Sequence, residues 1–150
     1  MMKISEINLN DNRFEMLLFT RDEFQMVTGT DLSIELETDD DPGNEINRFI
    51  NDACMMVKQM VMDYSFRDLI LYQDELYYNG VKITDKKVVK YVKLACIEQA
   101  SYMLINGDLA SRSGIGMAKK MFNDRDKKRV MYSPRAKSLL MEAGLLGGCL

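Results

Sequence analysis

Apolar residues recur every three or four positions in two long stretches of the chain, which is the period of an amphipathic α-helix. In the first stretch, which begins near Asn44, they are Ile46, Phe49, Ile50, Ala53, Cys54, Val57, Met60, Val61 and Tyr64. In the second, which runs from Thr84 as its N-cap to about Ile105, they are Val88, Val89, Tyr91, Val92, Ala95, Cys96, Ala100, Tyr102 and Met103. The pattern predicts two long helices that pack against each other as the core pair.

Shorter signals precede the first long helix. Thr20 is followed three residues later by Glu23, which is the pattern of a capping box. It predicts a short helix over 21–27 that ends at Gly29, where glycine adopts the left-handed conformation of a C-terminal cap. Residues 1–20 hold short apolar groups, and we expect them to form an early strand or a loosely held arm. The acidic stretch 31–43 is interpreted as a loop.

The segment between the two long helices is predicted to contain β-structure. Residues 75–83 place aromatic and β-branched side chains around Asn79-Gly80, a dipeptide that favours a two-residue turn. These residues are predicted to form a β-hairpin. Residues 65–72, which precede the hairpin, are interpreted as a short helix or an irregular turn.

The chain closes with a clear helix start and an apolar end. Ser133 as N-cap with Pro134 at the first helical position predicts a helix over 135–143, with Gly144 as its C-cap. The residues that follow, 144–150, are mostly leucine and glycine. We expect this tail to find little room inside its own domain and to become ordered on a partner.

Together these elements predict a mainly α fold: a small helical bundle built on two long antiparallel helices, with a β-hairpin between them and a short C-terminal helix and tail. A chain of 150 residues is long enough for one domain with a core of its own. Residues 1–150 are therefore treated as a single domain, with 1–20 as a possible N-terminal arm and 133–150 as a C-terminal docking helix and tail.

Charge is divided unevenly along the chain. Residues 1–64 carry 14 acidic and 5 basic residues, whereas residues 65–150 carry 9 acidic and 15 basic residues. Such a division suits head-to-tail stacking of identical copies or a position between two unlike partners, and a chance split with solvated faces also remains open. Within the basic part, the candidate contact surface consists of Lys119, Lys120, Arg125, Lys127, Lys128 and Arg129. A protein-docking face, a solvated surface and phosphate contacts to nucleic acid all remain open for it.

Catalytic and metal-binding signatures are not found in the sequence. The chain has no histidine, which removes the Ser-His-Asp and Cys-His arrangements and the commonest base near neutral pH. Its three cysteines, Cys54, Cys96 and Cys149, are scattered, and the first two lie in apolar helical patterns typical of buried thiols. We therefore expect a protein that is not an enzyme, holds no cofactor or metal, and has no membrane-spanning segment.

Two motifs resemble those of a known family. Residues 22–30 read Asp-Glu-Phe-x-x-x-Thr-Gly-Thr, and residues 132–145 read Tyr-x-Pro-x-Ala-x-x-Leu-Leu-x-x-Ala-Gly-Leu. With two long helices and a β-element between these motifs, the arrangement resembles the head–tail connector (adaptor) proteins of tailed bacteriophages. The resemblance covers the order of elements over most of residues 20–146, and its strongest part is the closing block.

The resemblance implies a structural protein of the virion neck, made in the host cytoplasm. It implies a homo-oligomeric ring under the portal protein that extends the DNA channel, contacts passing DNA non-specifically and joins the capsid to the next neck or tail completion protein. On this reading, the candidate portal-docking residues are Tyr132, Ser133, Pro134, Arg135, Leu139, Leu140, Leu145 and Leu146. The alternatives are a neck stopper or head-completion protein, or a small regulatory nucleic-acid-binding protein that uses residues 119–137.

Overall fold

The computed structural model describes residues 16–35, 42–106 and 132–147. This part of the chain is mostly helical and carries a small antiparallel sheet. The helices are α1 (Arg21–Thr28), α2 (Leu32–Glu35), α3 (Pro42–Ser65), α4 (Lys86–Asn106) and α5 (Pro134–Glu142). The strands are β1 (Leu69–Tyr72), β2 (Glu75–Tyr78) and β3 (Val81–Lys82). No helix among the described residues has the length and hydropathy of a membrane span.

The two long helices form where the apolar period predicts them, and they contact each other in the core. The buried residues of α3 that belong to the predicted face are Ile46, Ile50, Ala53, Cys54, Val57, Met60 and Val61. On α4, Ile97 and Gln99 are buried in addition to the predicted positions. The reason is that α4 packs against α3 and also against α5, so more than one side of it is covered. A prediction based on one apolar face therefore misses some of the buried residues of such a helix.

The start of α4 differs by one residue from the prediction. The helix begins at Lys86, and the Asp85 Oδ1 atom accepts a hydrogen bond from the Lys87 backbone N–H at 2.9 Å. The Asp85 carbonyl oxygen also accepts the Val89 N–H at 3.2 Å. The N-cap is therefore Asp85 rather than Thr84, because a carboxylate satisfies the free amides of a first turn at least as well as a hydroxyl.

The sheet contains one strand more than predicted. The hairpin is confirmed: β2 and β3 pair antiparallel across Asn79-Gly80, with Tyr78 opposite Val81. The interpretation of residues 65–72 as a short helix or turn is wrong for 69–72, which form β1 and pair with β2 in the register Leu69 opposite Tyr78. Leu69 and Leu76 are buried against the helices, which supplies the support that a bare hairpin lacks.

The residues before α1 belong to the core, contrary to prediction. Residues 16–20 form neither a strand nor a loosely held arm. Met16, Leu18 and Phe19 are buried, and the Met16 N–H donates a hydrogen bond to the Asn51 Oδ1 atom on α3 at 2.7 Å. The Phe19 ring stacks on Phe24 with 5.9 Å between centroids. The other predicted arm residues, 1–15, lie outside the described residues.

Helix α1 begins and ends as the sequence predicts. The Thr20 side chain accepts the Glu23 N–H, and the Glu23 carboxylate accepts the Thr20 N–H, each at 3.1 Å. Gly29 closes the helix with a φ of 78°. The acidic stretch that follows is only partly the predicted loop, because its residues 32–35 form α2, with Leu32 fully buried. Residues 36–41 lie outside the described part.

Candidate functional site: the C-terminal helix and tail

The start of α5 is fixed by the side chain and the backbone of Ser133. Its side-chain oxygen accepts the Ala136 N–H at 3.2 Å, and its carbonyl oxygen accepts the Lys137 N–H at 3.0 Å. The predicted N-cap with proline at the first helical position is confirmed. The Ser133 N–H donates at 2.8 Å to the Oε1 atom of Gln99, which is completely buried on α4. This long-range hydrogen bond aligns α5 on α4.

A second polar contact joins the same segment to α3. The Tyr132 hydroxyl donates a hydrogen bond of 2.5 Å to the Asp63 Oδ2 atom, and the side chain of Tyr132 is buried. Burial, together with this hydrogen bond to a carboxylate, raises the pKa of the Tyr132 phenol well above its usual range. The protonated phenol is therefore the form that the fold holds. Tyr132 and Ser133 tie α5 to both long helices.

Helix α5 has one buried side and one exposed side. Ala136 and Leu140 are completely buried, and Leu139 and Ala143 pack partly against the core. The exposed side carries Pro134, Arg135, Ser138, Met141 and Glu142, and this set is called the α5 outer face below. Its Arg135 guanidinium lies 3.8 Å from the Glu98 carboxylate.

The end of α5 is a glycine-terminated turn. Ala143 is the C-cap, and Gly144, predicted for that position, is the next residue, with a φ of 77°. The Gly144 N–H donates to the Met141 carbonyl and the Leu145 N–H donates to the Leu140 carbonyl, each at 3.0 Å. This is the Schellman pattern, and it turns the chain back toward the core.

The tail is buried in its own domain, and the expectation that it lacks room there is wrong for Leu145 and Leu146. Leu145 is 4% exposed and Leu146 is 1% exposed. The Tyr78 hydroxyl donates to the Leu145 carbonyl oxygen at 3.0 Å, so the sheet holds the tail in place. Gly147 then lies against the backbone of Ser65. Residues 148–150 lie outside the described part.

These positions correct the list of candidate docking residues. Five of them, Tyr132, Ser133, Leu140, Leu145 and Leu146, are covered by the chain itself and cannot form the outer surface of a docking site. Pro134 and Arg135 are exposed, and Leu139 is half-buried. The exposed Ser138, Met141 and Glu142 were not on the list. Their signal was the helical period, which places them opposite Ala136 and Leu140.

The predicted basic contact surface cannot be placed in the fold. Its six residues, Lys119, Lys120, Arg125, Lys127, Lys128 and Arg129, lie outside the described residues.

The cysteines are the remaining predicted positions. Cys54 and Cys96 are buried, as predicted, and Cys149 lies outside the described part. Burial, together with the neighbouring Cys54 thiol, raises the pKa of the Cys96 thiol, which keeps it unreactive. Among the described residues, no three His, Cys, Asp or Glu side chains are grouped so that they could hold a metal ion.

Comparison with known protein families, with curated proteins and with solved structures gives no significant match.

Proposed function

We propose that the protein is a head–tail connector of a tailed bacteriophage: a structural, non-enzymatic protein that forms a ring under the portal. In this proposal α3 and α4 are the antiparallel pair of a small helical bundle. The ring continues the DNA channel, carries the next neck or tail protein, and resides in the neck of the virion after synthesis in the host cytoplasm. A stopper or completion protein of the same neck is the alternative position.

The observation that carries the proposal is the role of the closing motif in the fold. The motif positions Tyr132, Ala136, Leu140 and Leu145 are buried, and the motif glycine, Gly144, makes the left-handed turn between them. Four of the eight residues that define this motif are therefore buried where α5 and its flanks pack against the rest of the fold. A match confined to exposed positions would give the proposal much less support, because exposed positions tolerate many sequences.

The proposed portal contact is the α5 outer face. It combines an exposed apolar side chain, Met141, which is 48% exposed, with charged groups of both signs at Arg135 and Glu142. Methionine adapts its shape to irregular surfaces, and arginine is enriched at protein interfaces. The face is also held rigidly, because α5 is fixed to α4 at its start and to the sheet beyond its end.

Self-association follows from the same proposal. A ring requires a heterologous interface, in which one surface of a copy meets a different surface of the next. The first part of the chain is acidic in balance and the second part is basic, so each copy carries the two signs of charge that such an interface would pair. This division supports side-by-side packing of identical subunits, with attraction across each interface and repulsion between like faces.

The test is binding to the portal protein of the phage that encodes this chain. The wild-type chain is expected to co-elute with assembled portal in size-exclusion chromatography and to appear as an added ring in electron micrographs. The double variant Arg135→Glu/Met141→Asp is expected to lose at least about tenfold in affinity, since charged pairs and apolar contacts at interfaces each contribute about 1 kcal/mol or more.

The chain offers a matched control on α1. Arg21 lies 3.6 Å from the Asp31 carboxylate, much as Arg135 lies near Glu98, and Met26 is 86% exposed. The double variant Arg21→Glu/Met26→Asp therefore makes the same changes elsewhere and should retain portal binding. Circular dichroism checks that both variants are folded. Failure of the wild-type chain to bind portal contradicts the function, whereas equal binding by the two variants contradicts the assigned face.

A further inference from the structure

Three lysines at the start of α4 form a surface that lies outside both motifs of the family resemblance. Lys86, Lys87 and Lys90, called the basic ridge below, are all exposed. Four residues of helix span about 6 Å, so Lys86 and Lys90 lie one above the other on one side of the helix. Within the described part of the chain, none of the three is in an ion pair.

Two other lysines near the basic ridge do form ion pairs within the chain. The Lys82 ammonium lies 2.8 Å from the Glu75 carboxylate, and the Lys93 ammonium lies 2.8 Å from the Glu23 carboxylate. The charges on either side of the basic ridge are therefore balanced within the chain. The only acidic group adjoining it in sequence is Asp85, whose carboxylate is occupied in capping the helix at the Lys87 N–H.

The position of the ridge opposes the stability of α4. Lys86 and Lys87 occupy the first turn of the helix, which contains no acidic residue. Free amides give a helix N-terminus a partial positive charge, so cations there are unfavourable and carboxylates are favourable. Two lysines at this place destabilise the helix, and among the described residues they gain no ion-pair partner in return. Charged residues that are present although they disfavour their own helix indicate a role in binding rather than in folding.

The composition of the ridge favours phosphate over a protein partner. The centres of protein interfaces are depleted of lysine and enriched in aromatic, methionine and arginine side chains. Among the described residues of α4, the exposed large apolar side chain is Ile105, at the opposite end of the helix. A cluster of exposed lysines on one side of a helix is suited instead to the dense negative charge of a nucleic-acid backbone.

We propose that the basic ridge is a non-specific contact site for the phosphate backbone of double-stranded DNA. The ammonium groups of Lys86, Lys87 and Lys90 bind phosphate oxygens and release the counterions that surround the duplex. The assignment does not require the ring, so the isolated chain is expected to show it. In a ring, every subunit would add the same three charges, and their effects would accumulate along the DNA.

The experiment measures binding of the full chain to a fluorescent 30-base-pair duplex by anisotropy, from 20 to 200 mM salt. The variant Lys86→Gln/Lys87→Gln/Lys90→Gln removes three phosphate contacts, each worth about 0.9 in the slope of log affinity against log salt. The slope should therefore become shallower by about 2.7. The ratio of wild-type to variant affinity should change by about fortyfold between 50 and 200 mM salt.

The control variant Arg21→Gln/Arg48→Gln/Lys58→Gln removes the same charge elsewhere. Each of its three cations is paired with a carboxylate of the chain, at 3.6, 3.2 and 3.3 Å. It should keep the wild-type slope. A similar loss in both variants would mean that net charge alone governs binding, and it would overturn the assignment of the ridge.

A second readout separates a binding role from a structural one. The variant Lys86→Glu/Lys87→Glu places carboxylates in the first turn, so its Tm should rise by about 2 °C while DNA binding is lost. A lower Tm would overturn the view that the lysines oppose the fold. Wild-type chain that fails to bind the duplex at 20 mM salt would overturn the site. The site would also be overturned if the ridge variant changed only self-association in sedimentation, since that result would mean that the ridge binds acidic groups of a second copy. None of these outcomes depends on portal binding.

Discussion

At the scale of single residues, the polar side chains inside the core explain how the C-terminal segment finds its place. Gln99 is completely buried on α4, and its amide reaches two separate elements. The Oε1 atom accepts the Ser133 N–H, and the Nε2 atom donates to the Met56 sulfur at 3.6 Å. Buried polar groups of this kind stabilise a fold only when they are paired, and they penalise any other arrangement.

The replacement Gln99→Leu tests this role. It leaves the Ser133 N–H buried without an acceptor, which should lower the free energy of unfolding by about 1–3 kcal/mol. The measurement is urea denaturation followed by circular dichroism. The control is Gln25→Leu on the exposed side of α1, which should change stability by no more than about 0.5 kcal/mol. Equal effects of the two replacements would show that the hydrogen bond to Ser133 contributes nothing specific.

At the scale of elements, helix ends could be predicted well, and irregular segments could not. Thr20 with Glu23, Gly29, and Ser133 with Pro134 mark ends through contacts within a few residues, and all of them are confirmed. Strand β1 has no such local signal. Its residues 69–72 become a strand because β2 lies beside them, so the decisive contacts come from elsewhere in the chain.

Two glycines after α5 distinguish the energetic cost of backbone strain from the cost of a close contact. Gly144 and Gly147 have φ values of 77° and 72°, and an added Cβ atom meets nothing within 4 Å at Gly144. At Gly147 the Cβ would lie 3.2 Å from the Ser65 Cα atom. Gly144→Ala should therefore cost about 1 kcal/mol from the left-handed backbone alone, and Gly147→Ala should cost clearly more.

Thermal unfolding of the two glycine variants, followed by circular dichroism, measures this difference. Because the backbone strain is the same at both positions, the excess in Gly147→Ala reports contact between the tail and the end of α3. Equal destabilisation would mean that the tail moves away from Ser65 without cost, and it would contradict the packing of the tail described above.

At the scale of the whole molecule, the core joins segments that are far apart in sequence. Met16 meets Asn51, Gln99 meets Ser133, and Tyr132 meets Asp63, across separations of 35, 34 and 69 residues. The C-terminal segment is therefore part of the domain. Removal of residues 145–150 would expose the surfaces that Leu145 and Leu146 cover, so loss of function after such a deletion would not by itself identify a docking site.

The contact between Tyr132 and Asp63 makes stability depend on pH in the alkaline range. The fold raises the pKa of Tyr132, mainly through burial, so it stabilises the protonated phenol. This contribution is complete below the pKa of tyrosine in the unfolded chain, about 10, and declines as the pH rises above it. The difference in unfolding free energy between wild type and Tyr132→Phe should be about 1.5–3 kcal/mol at pH 7.

Above pH 10 that difference should fall by up to about 1.4 kcal/mol per pH unit, because the unfolded wild-type chain gains the ionised form of Tyr132. Urea denaturation of both proteins from pH 7 to 11 measures it, and taking the difference removes the other titrating groups that they share. A difference that stays constant to pH 11 would contradict the role of Tyr132.

What the sequence determined by itself was local: the two long helices, the hairpin at Asn79-Gly80, and the caps at Thr20 and Ser133. Each rests on a period or on contacts within four residues, which a reading along the chain can detect. Only the tertiary structure decided that Leu145 and Leu146 of the tail are buried, that five candidate docking residues face inward and that Lys86, Lys87 and Lys90 form no ion pair with the described residues. Burial and pairing depend on which distant segment lies opposite, because apolar area and charge act between neighbours in space.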